Sequence, residues 1–141
     1  MRREKGFTLI ELVLVIGIVA LLIMAVGLTS GVRENAKVHS AAESVKTLRT
    51  AAESYIASGN MTYAGIGIDG LKTAGYLSGS FSAAGSNPWG GDFVVAANSD
   101  TSKVDISLTA VNTAASARLS ALFANSASGI NSASGTWTVT F

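Results

Sequence analysis

The feature that most constrains this chain is an uninterrupted apolar run close to its N-terminus. Residues Leu12 to Leu28 are 17 consecutive residues without a charge. As an α-helix, which rises about 1.5 Å per residue, this run spans roughly 25 Å and matches the hydrocarbon core of a membrane. Arg2, Arg3 and Lys5 precede the run. Because basic residues stay on the cytoplasmic side, we expect a cytoplasmic N-terminus and an exported remainder.

Three kinds of segment fit this pattern, and Glu11 distinguishes between them. A secretory signal peptide is cut after its apolar run, and a plain anchor is not cut at all. The third kind is cut before the run, here at Gly6. An acidic residue one turn into a membrane helix costs about 2.5–3.5 kcal/mol on insertion scales. A signal peptide or a plain anchor does not need such a residue, whereas a helix that must bind a cationic partner within the membrane does need it.

Cleavage after Gly6 would give Glu11 such a partner. The new N-terminus would be the amine of Phe7, and Glu11 would be the fifth residue of the mature chain. The carboxylate of one subunit could then pair with the amine of a neighbour that is offset along a helical stack. This pairing would neutralise both charges in surroundings of low dielectric constant.

The stretch from Lys5 to Leu12 resembles the class III signal of type IV pilins and of the pseudopilins of type II secretion. The shared pattern is a basic leader, Gly6, Phe7, Glu11 and a long apolar helix. The resemblance implies that a prepilin peptidase cleaves after Gly6 and methylates the Phe7 amine. It also implies that the N-terminal helix extends beyond the membrane and packs into the core of a filament.

Helical periodicity continues beyond the apolar run, with apolar residues at three- and four-residue spacing. We therefore predict one helix over residues 7–58, of which about 9–28 lie in the membrane or the filament core. Residues 1–6 are the predicted leader, and residues 59–141 are the predicted globular head. The predicted buried stripe consists of Val38, Ala41, Ala42, Val45, Leu48, Ala52, Tyr55 and Ile56.

The head is predicted to be a small antiparallel sheet laid on the long helix, which makes the fold class α+β. Alternating apolar residues predict strands at 92–97, 103–109 and 137–141. A helix is expected at 112–125, with Ala115, Leu119, Leu122 and Phe123 facing inward. A short helical turn is expected at 71–74, and a polar loop at 128–135. The sheet should contain three or four strands.

The strongest turn signal in the head is Asn87-Pro88-Trp89-Gly90-Gly91. Together with the strand that follows, it resembles the heads of type IVb pilins, and partly the Pro-Trp-Gly turn of major pseudopilins. The chain departs from most pilins because it lacks the C-terminal cysteine pair. It also lacks the acidic cluster of the pseudopilin calcium site. These departures leave the subclass open.

The composition points away from several other functions. The absence of cysteine excludes disulfides, thiol nucleophiles and thiolate zinc sites, and a net charge of +1 gives no electrostatic case for nucleic-acid binding. The glycines of residues 65–70 match a dinucleotide-binding pattern, but a long helix rather than a strand precedes them. His39 has no second ligand in view and is read as a surface residue. We therefore predict no enzyme activity, no metal and no cofactor.

The leading hypothesis is a structural subunit of a type IV pilus, a major pilin that supports adhesion, motility or DNA uptake. Its predicted partners are further copies of itself in a helical polymer, the prepilin peptidase, the inner-membrane pilus assembly machinery and, before assembly, membrane lipid. It is expected first in the inner membrane with its head outside the cytoplasm, and then in an extracellular filament. A minor pilin or a pseudopilin remains an alternative, and a membrane-tethered binding module is an alternative of another class.

Overall fold

The computed structural model describes residues 8–141, except for the side chains of residues 26–30. It has the predicted α+β arrangement of one long N-terminal helix and a small antiparallel sheet. The elements are α1 (Leu9–Ala57), α2 (Ile68–Thr73), β1 (Phe93–Ala97), β2 (Val104–Leu108), α3 (Thr113–Phe123), β3 (Gly129–Ala133) and β4 (Thr136–Thr140). The chain divides into two compact units, Met1–Asn35 and Ala36–Phe141.

In the second unit, α1 contributes a narrow apolar stripe to the core. Val45, Leu48 and Ala52 are fully buried, and the other small residues of the predicted stripe are nearly so. Tyr55 is only partly buried and packs against the edge of this cluster. On the wetter face, the ammonium of Lys46 lies 2.8 Å from a carboxylate oxygen of Glu43. The three- and four-residue spacing read from the sequence is therefore confirmed as the core-facing side of the helix.

Four antiparallel strands form one sheet in the order β1-β2-β4-β3. Each of β1, β2 and β4 buries alternate side chains, as a sheet with one solvated face requires. The buried residues from these strands join the α1 stripe in one hydrophobic core. Trp137 is completely buried there, and its indole N–H donates to the hydroxyl of Ser120 at 3.0 Å.

The prediction of a polar loop at residues 128–135 is wrong for most of that stretch. Gly129–Ala133 is strand β3, which pairs with β4. Its sequence has little β-propensity, so the pairing depends on its neighbour and on the turn between them. Ser134 and Gly135 both have positive φ, at 49° and 77°. A two-residue hairpin turn of type I′ requires positive φ at both central positions, and it brings a weak strand into register with a strong one.

Helix α3 is close to its predicted position, but one of its residues faces the other way. Asn112 is the N-cap, and its side-chain oxygen accepts a hydrogen bond from the backbone N–H of Ala115 at 2.8 Å. Leu119 and Phe123 are buried as expected. Leu122 was predicted to face inward and is instead 50% exposed. The helix contacts the core along a stripe too narrow to include Leu122 beside Phe123.

The turn at residues 87–91 joins the long loop to the sheet. The buried side chain of Asn87 accepts hydrogen bonds from the backbone N–H groups of Trp89 and Gly91, at 2.9 and 3.0 Å. Its amide nitrogen donates to the backbone oxygen of Thr109 at 2.7 Å. Gly91 lies against the same residue, since a β-carbon added there would be 2.2 Å from the Thr109 oxygen. This turn is therefore structural, and it determines where β1 begins.

Candidate assembly site at the start of the N-terminal helix

The site residues predicted from the sequence lie at the very start of the chain. Gly6 and Phe7 are outside the described residues. Glu11 is described and lies in the first turn of α1, which begins at Leu9. The geometry of this site is therefore built from Thr8 onward.

Thr8 and Glu11 form a capping box. The backbone N–H and the hydroxyl of Thr8 both donate to Oε2 of Glu11, each at 2.8 Å. In return, the backbone N–H of Glu11 lies 3.4 Å from the hydroxyl oxygen of Thr8. A threonine at the N-cap and a glutamate three residues later satisfy backbone donors that the first helical turn leaves without partners.

The position of the Glu11 charge also favours this helix start. The N-terminus of a helix carries a partial positive charge, and a carboxylate in the first turn is stabilised by it. Glu11 is the acidic residue of the first turn of α1. The energetic cost of placing this carboxylate in apolar surroundings is therefore partly offset by its own helix, even without a partner from another subunit.

The sequence reasoning missed the role of Thr8. The signal was present, because a Ser or Thr followed three residues later by Glu or Gln, just before an apolar run, marks a helix N-terminus. From the sequence, the Glu11 carboxylate was predicted to have only an intermolecular partner. The structure adds an intramolecular partner in the same chain.

Beyond this turn, α1 exposes apolar side chains in every direction. Its large apolar residues from Leu9 to Met24 are 47–81% exposed. A helix that is apolar on all sides is normally found inside a protein assembly or a membrane. Among the described residues, no helix is both long enough and apolar enough to cross a membrane. The predicted span at residues 9–28 stays a prediction.

Elsewhere in the described part of the chain, we find little that resembles a chemical site. No group of three or more His, Asp or Glu residues within residues 8–141 is placed to hold a metal ion. His39 is exposed on α1, as expected for a surface residue. The glycine-rich residues 65–70 lie between α1 and β1, and the last three of them are the first residues of α2; the sheet is antiparallel throughout. The strand that precedes the glycines in a dinucleotide-binding unit is not found there.

A comparison of the chain with curated proteins and with solved structures gives no match. A comparison with protein-family models gives one for residues 1–28, the prokaryotic N-terminal methylation motif. The matched segment contains Gly6, Phe7, Thr8 and Glu11. The chain therefore carries at its N-terminus the methylation motif that is the class III signal of type IV pilins.

Proposed function

We propose that this protein is the major structural subunit of a type IV pilus. The observation that carries the proposal is the first part of α1, where large apolar side chains are exposed on all sides within the segment that matches the methylation motif. Apolar surface of this extent is covered in a functional state. Lipid would cover it in the precursor, and the same helices of neighbouring subunits would cover it in the filament.

Maturation would proceed in two steps by one enzyme. The prepilin peptidase would hydrolyse the peptide bond between Gly6 and Phe7, and would then methylate the new Phe7 amine. The motif supports a pilin-like or pseudopilin substrate of this enzyme. The leader holds Arg2, Arg3 and Lys5, so the uncleaved precursor would keep its N-terminus in the cytoplasm.

Glu11 would determine the axial register of the filament. Its carboxylate would pair with the Phe7 amine of an adjacent subunit, because each charge is costly to leave alone in apolar surroundings. The pairing is specific in direction, since one subunit supplies the acid and the next supplies the amine. Apolar packing would provide most of the cohesion, and the ion pair would select one offset among many similar ones.

The head would form the outside of the filament after export. It has only seven charged residues in 59–141, and two of them form an ion pair, with the ammonium of Lys103 3.9 Å from a carboxylate oxygen of Asp100. A surface with few unpaired charges packs against copies of itself without strong repulsion. Adhesion, motility or DNA uptake would then be properties of the assembled filament, which the inner-membrane assembly machinery builds.

The test is to shear filaments from the native cells, purify them and identify their N-terminal peptides by mass spectrometry. We expect this chain to be the main component, starting at Phe7 with a methylated amine. Glu11→Ala should insert into the membrane and be cleaved, yet yield few filaments. An N-terminal peptide that begins at Met1, or normal filament yield from Glu11→Ala, would contradict the proposal.

Three outcomes, from filament composition, a secretion assay and a binding assay, distinguish the alternatives. A processed chain that is a trace component of fibres points to a minor pilin. A processed chain whose loss abolishes protein secretion, with no surface fibres, points to a pseudopilin. A head that binds its ligand equally well when assembly is blocked points to a membrane-tethered binding module.

A further inference from the structure

The sheet of the head ends on two edge strands, β1 and β3, and its hydrogen bonds show which backbone groups point outward from β1. In an antiparallel ladder, alternate residues direct their N–H and C=O groups to the neighbouring strand, and the residues between them direct theirs away from it. The Phe93 N–H donates to the oxygen of Ala83 in the preceding loop at 2.8 Å, and not to β2. Because the pattern alternates, Val95 and Ala97 also direct their backbone groups away from β2.

On β3, the outward-pointing residues are Ile130 and Ser132. The two-residue turn that follows Ala133 makes this residue part of a hydrogen-bonded pair with β4, so its even-numbered neighbours along the strand point away from β4. Neither edge strand contains a charged residue or a proline, the features with which sheets commonly protect their edges. Among residues 8–141, the bond from Phe93 is the one backbone hydrogen bond that we find on the outer side of either strand.

We propose that the head sheets of neighbouring subunits join edge to edge, with β3 of one copy adding to β1 of the next. The inference rests on the proposed function, because the partner is a second copy of this chain in a filament. The contact joins two different edges, so each added copy leaves a free edge for another, as an open filament requires. Pairing of β1 with β1, or of β3 with β3, would stop at two copies.

Two features of the sheet allow the neighbouring copy to have the same orientation. The four strands alternate in direction along the order β1-β2-β4-β3, so β1 and β3 run in opposite directions and the contact between like-oriented copies is antiparallel. The outward-pointing residues of both edges also have their side chains on the core side, since Val95 is buried and Ile130 packs against the core. Residues that pair directly share a face, so the core sides of the two sheets stay on one side.

The backbone bond of Phe93 selects the register of this contact. Its N–H is already used, so the pairing with the most hydrogen bonds employs the next two outward-pointing residues of β1. Val95 then lies opposite Ser132, and Ala97 lies opposite Ile130. Each pair exchanges two bonds, which gives about four backbone hydrogen bonds for each contact.

The same register places Val94 opposite Ala133 on the solvated face of the sheet. Val94 is 44% exposed and is one of the few large apolar residues of the head with that much exposure. The neighbouring copy would therefore cover apolar surface in addition to pairing backbone groups.

A disulfide between copies tests this register. Ala96 and Asn131 would form a non-hydrogen-bonded pair with their Cα atoms about 4.5 Å apart, within the range of about 4.4–6.8 Å that a disulfide needs. Both residues are exposed, and the chain has no cysteine of its own. Within one chain they lie on opposite edges of the sheet. Three strand spacings of about 4.8 Å separate them there, which is too far for a disulfide.

The double variant Ala96→Cys with Asn131→Cys is expressed in the native cells, and its sheared filaments are treated with a thiol oxidant. Denaturing electrophoresis without reductant should show a ladder of dimers, trimers and longer species, which a reductant returns to monomer. Each single variant should stay monomeric. The matched control is Ala96→Cys with Ala133→Cys, which moves one cysteine to a diagonal position about 7–8 Å away and should cross-link far less.

Filaments of the double variant that stay monomeric after oxidation would overturn the proposal, as would equal cross-linking of the Ala133→Cys control. Dimers from a single variant would reveal a β1–β1 or β3–β3 contact and would also contradict it. If the double variant does not assemble, the two single variants are expressed together, and mixed filaments without a cross-linked dimer refute the edge contact. Fibres from the native cells that lack this chain would instead contradict the proposed function.

Discussion

Gly91 lies where the turn after Asn87 meets the end of β2, and it leaves no room for a side chain. A β-carbon added at this position would be 2.2 Å from the backbone oxygen of Thr109 and 2.6 Å from its carbonyl carbon. Real β-carbons do not approach other atoms closer than about 3.0 Å, so the turn would have to move by roughly 0.8 Å. A movement of that size exceeds the tolerance of a hydrogen bond. Gly91→Ala therefore tests whether this close approach holds the turn to the sheet.

The loss of stability expected for Gly91→Ala follows from the hydrogen bonds between the turn and Thr109. The displaced turn would strain three of them: the Asn87 amide donating to the Thr109 backbone oxygen at 2.7 Å, the Asp92 backbone N–H donating to the Thr109 hydroxyl at 2.8 Å, and the Thr109 backbone N–H donating to the Asp92 backbone oxygen at 3.1 Å. At about 1 kcal/mol each, their loss would lower the free energy of unfolding by about 3 kcal/mol. For a unit of about 100 residues, the melting temperature should fall by at least about 12 °C.

The assay is thermal and denaturant unfolding of the full chain in detergent micelles, followed by the near-ultraviolet circular dichroism of its tryptophans. Two further variants calibrate the result. At Gly79, a β-carbon has open space and φ is not positive, so Gly79→Ala should match wild type. Gly90 also has open space but a φ of 82°, so Gly90→Ala should cost about 1 kcal/mol from backbone strain alone. If Gly91→Ala is no less stable than Gly90→Ala, the close approach to Thr109 does not hold the turn in place.

Two other predictions concern the head. Ser120→Ala should lower the free energy of unfolding by about 1–3 kcal/mol, because the buried indole N–H of Trp137 loses its acceptor at 3.0 Å. Denaturant unfolding of the full chain in micelles measures this loss. Unchanged stability would mean that the indole finds another acceptor. The pKa of Asp100 is lowered by hydrogen bonds from the hydroxyl and then the backbone N–H of Ser102. A lowered pKa in the folded state means that this contribution to stability is present above the unfolded-state pKa and is lost as the pH falls through the folded-state pKa. An NMR titration of the Asp100 carboxyl carbon should therefore show a midpoint below the ordinary value, and Ser102→Ala should move it upward; a midpoint that Ser102→Ala leaves unchanged would contradict this cause.

Where the pattern of side chains was strong, the elements could be predicted from the sequence. The alternation in β2 and β4 and the stripe of α1 each reflect burial on one side, and burial on one side leaves a period in the sequence. Strand β3 has no such period, because its polar residues face solvent and its pairing is provided by β4 and the Ser134–Gly135 turn. The prediction that Leu122 faces inward is wrong for a related reason. Helical periodicity specifies which residues share a face, but the width of the buried stripe depends on what packs against it.

The candidate site, like the fold, has features that the sequence predicts and features that only the structure shows. The N-terminal motif is local chemistry, so the sequence by itself determined that residues 1–28 form a class III signal with an acid at Glu11. Cleavage, methylation and the partner of Glu11 follow from that motif as proposals. Only the tertiary structure decided how Thr8 holds one oxygen of this acid and how closely Gly91 approaches Thr109. The reason is physical: a motif specifies which groups are present, whereas hydrogen bonds and steric contacts depend on distances of a few tenths of an ångström, which exist only once the chain has folded.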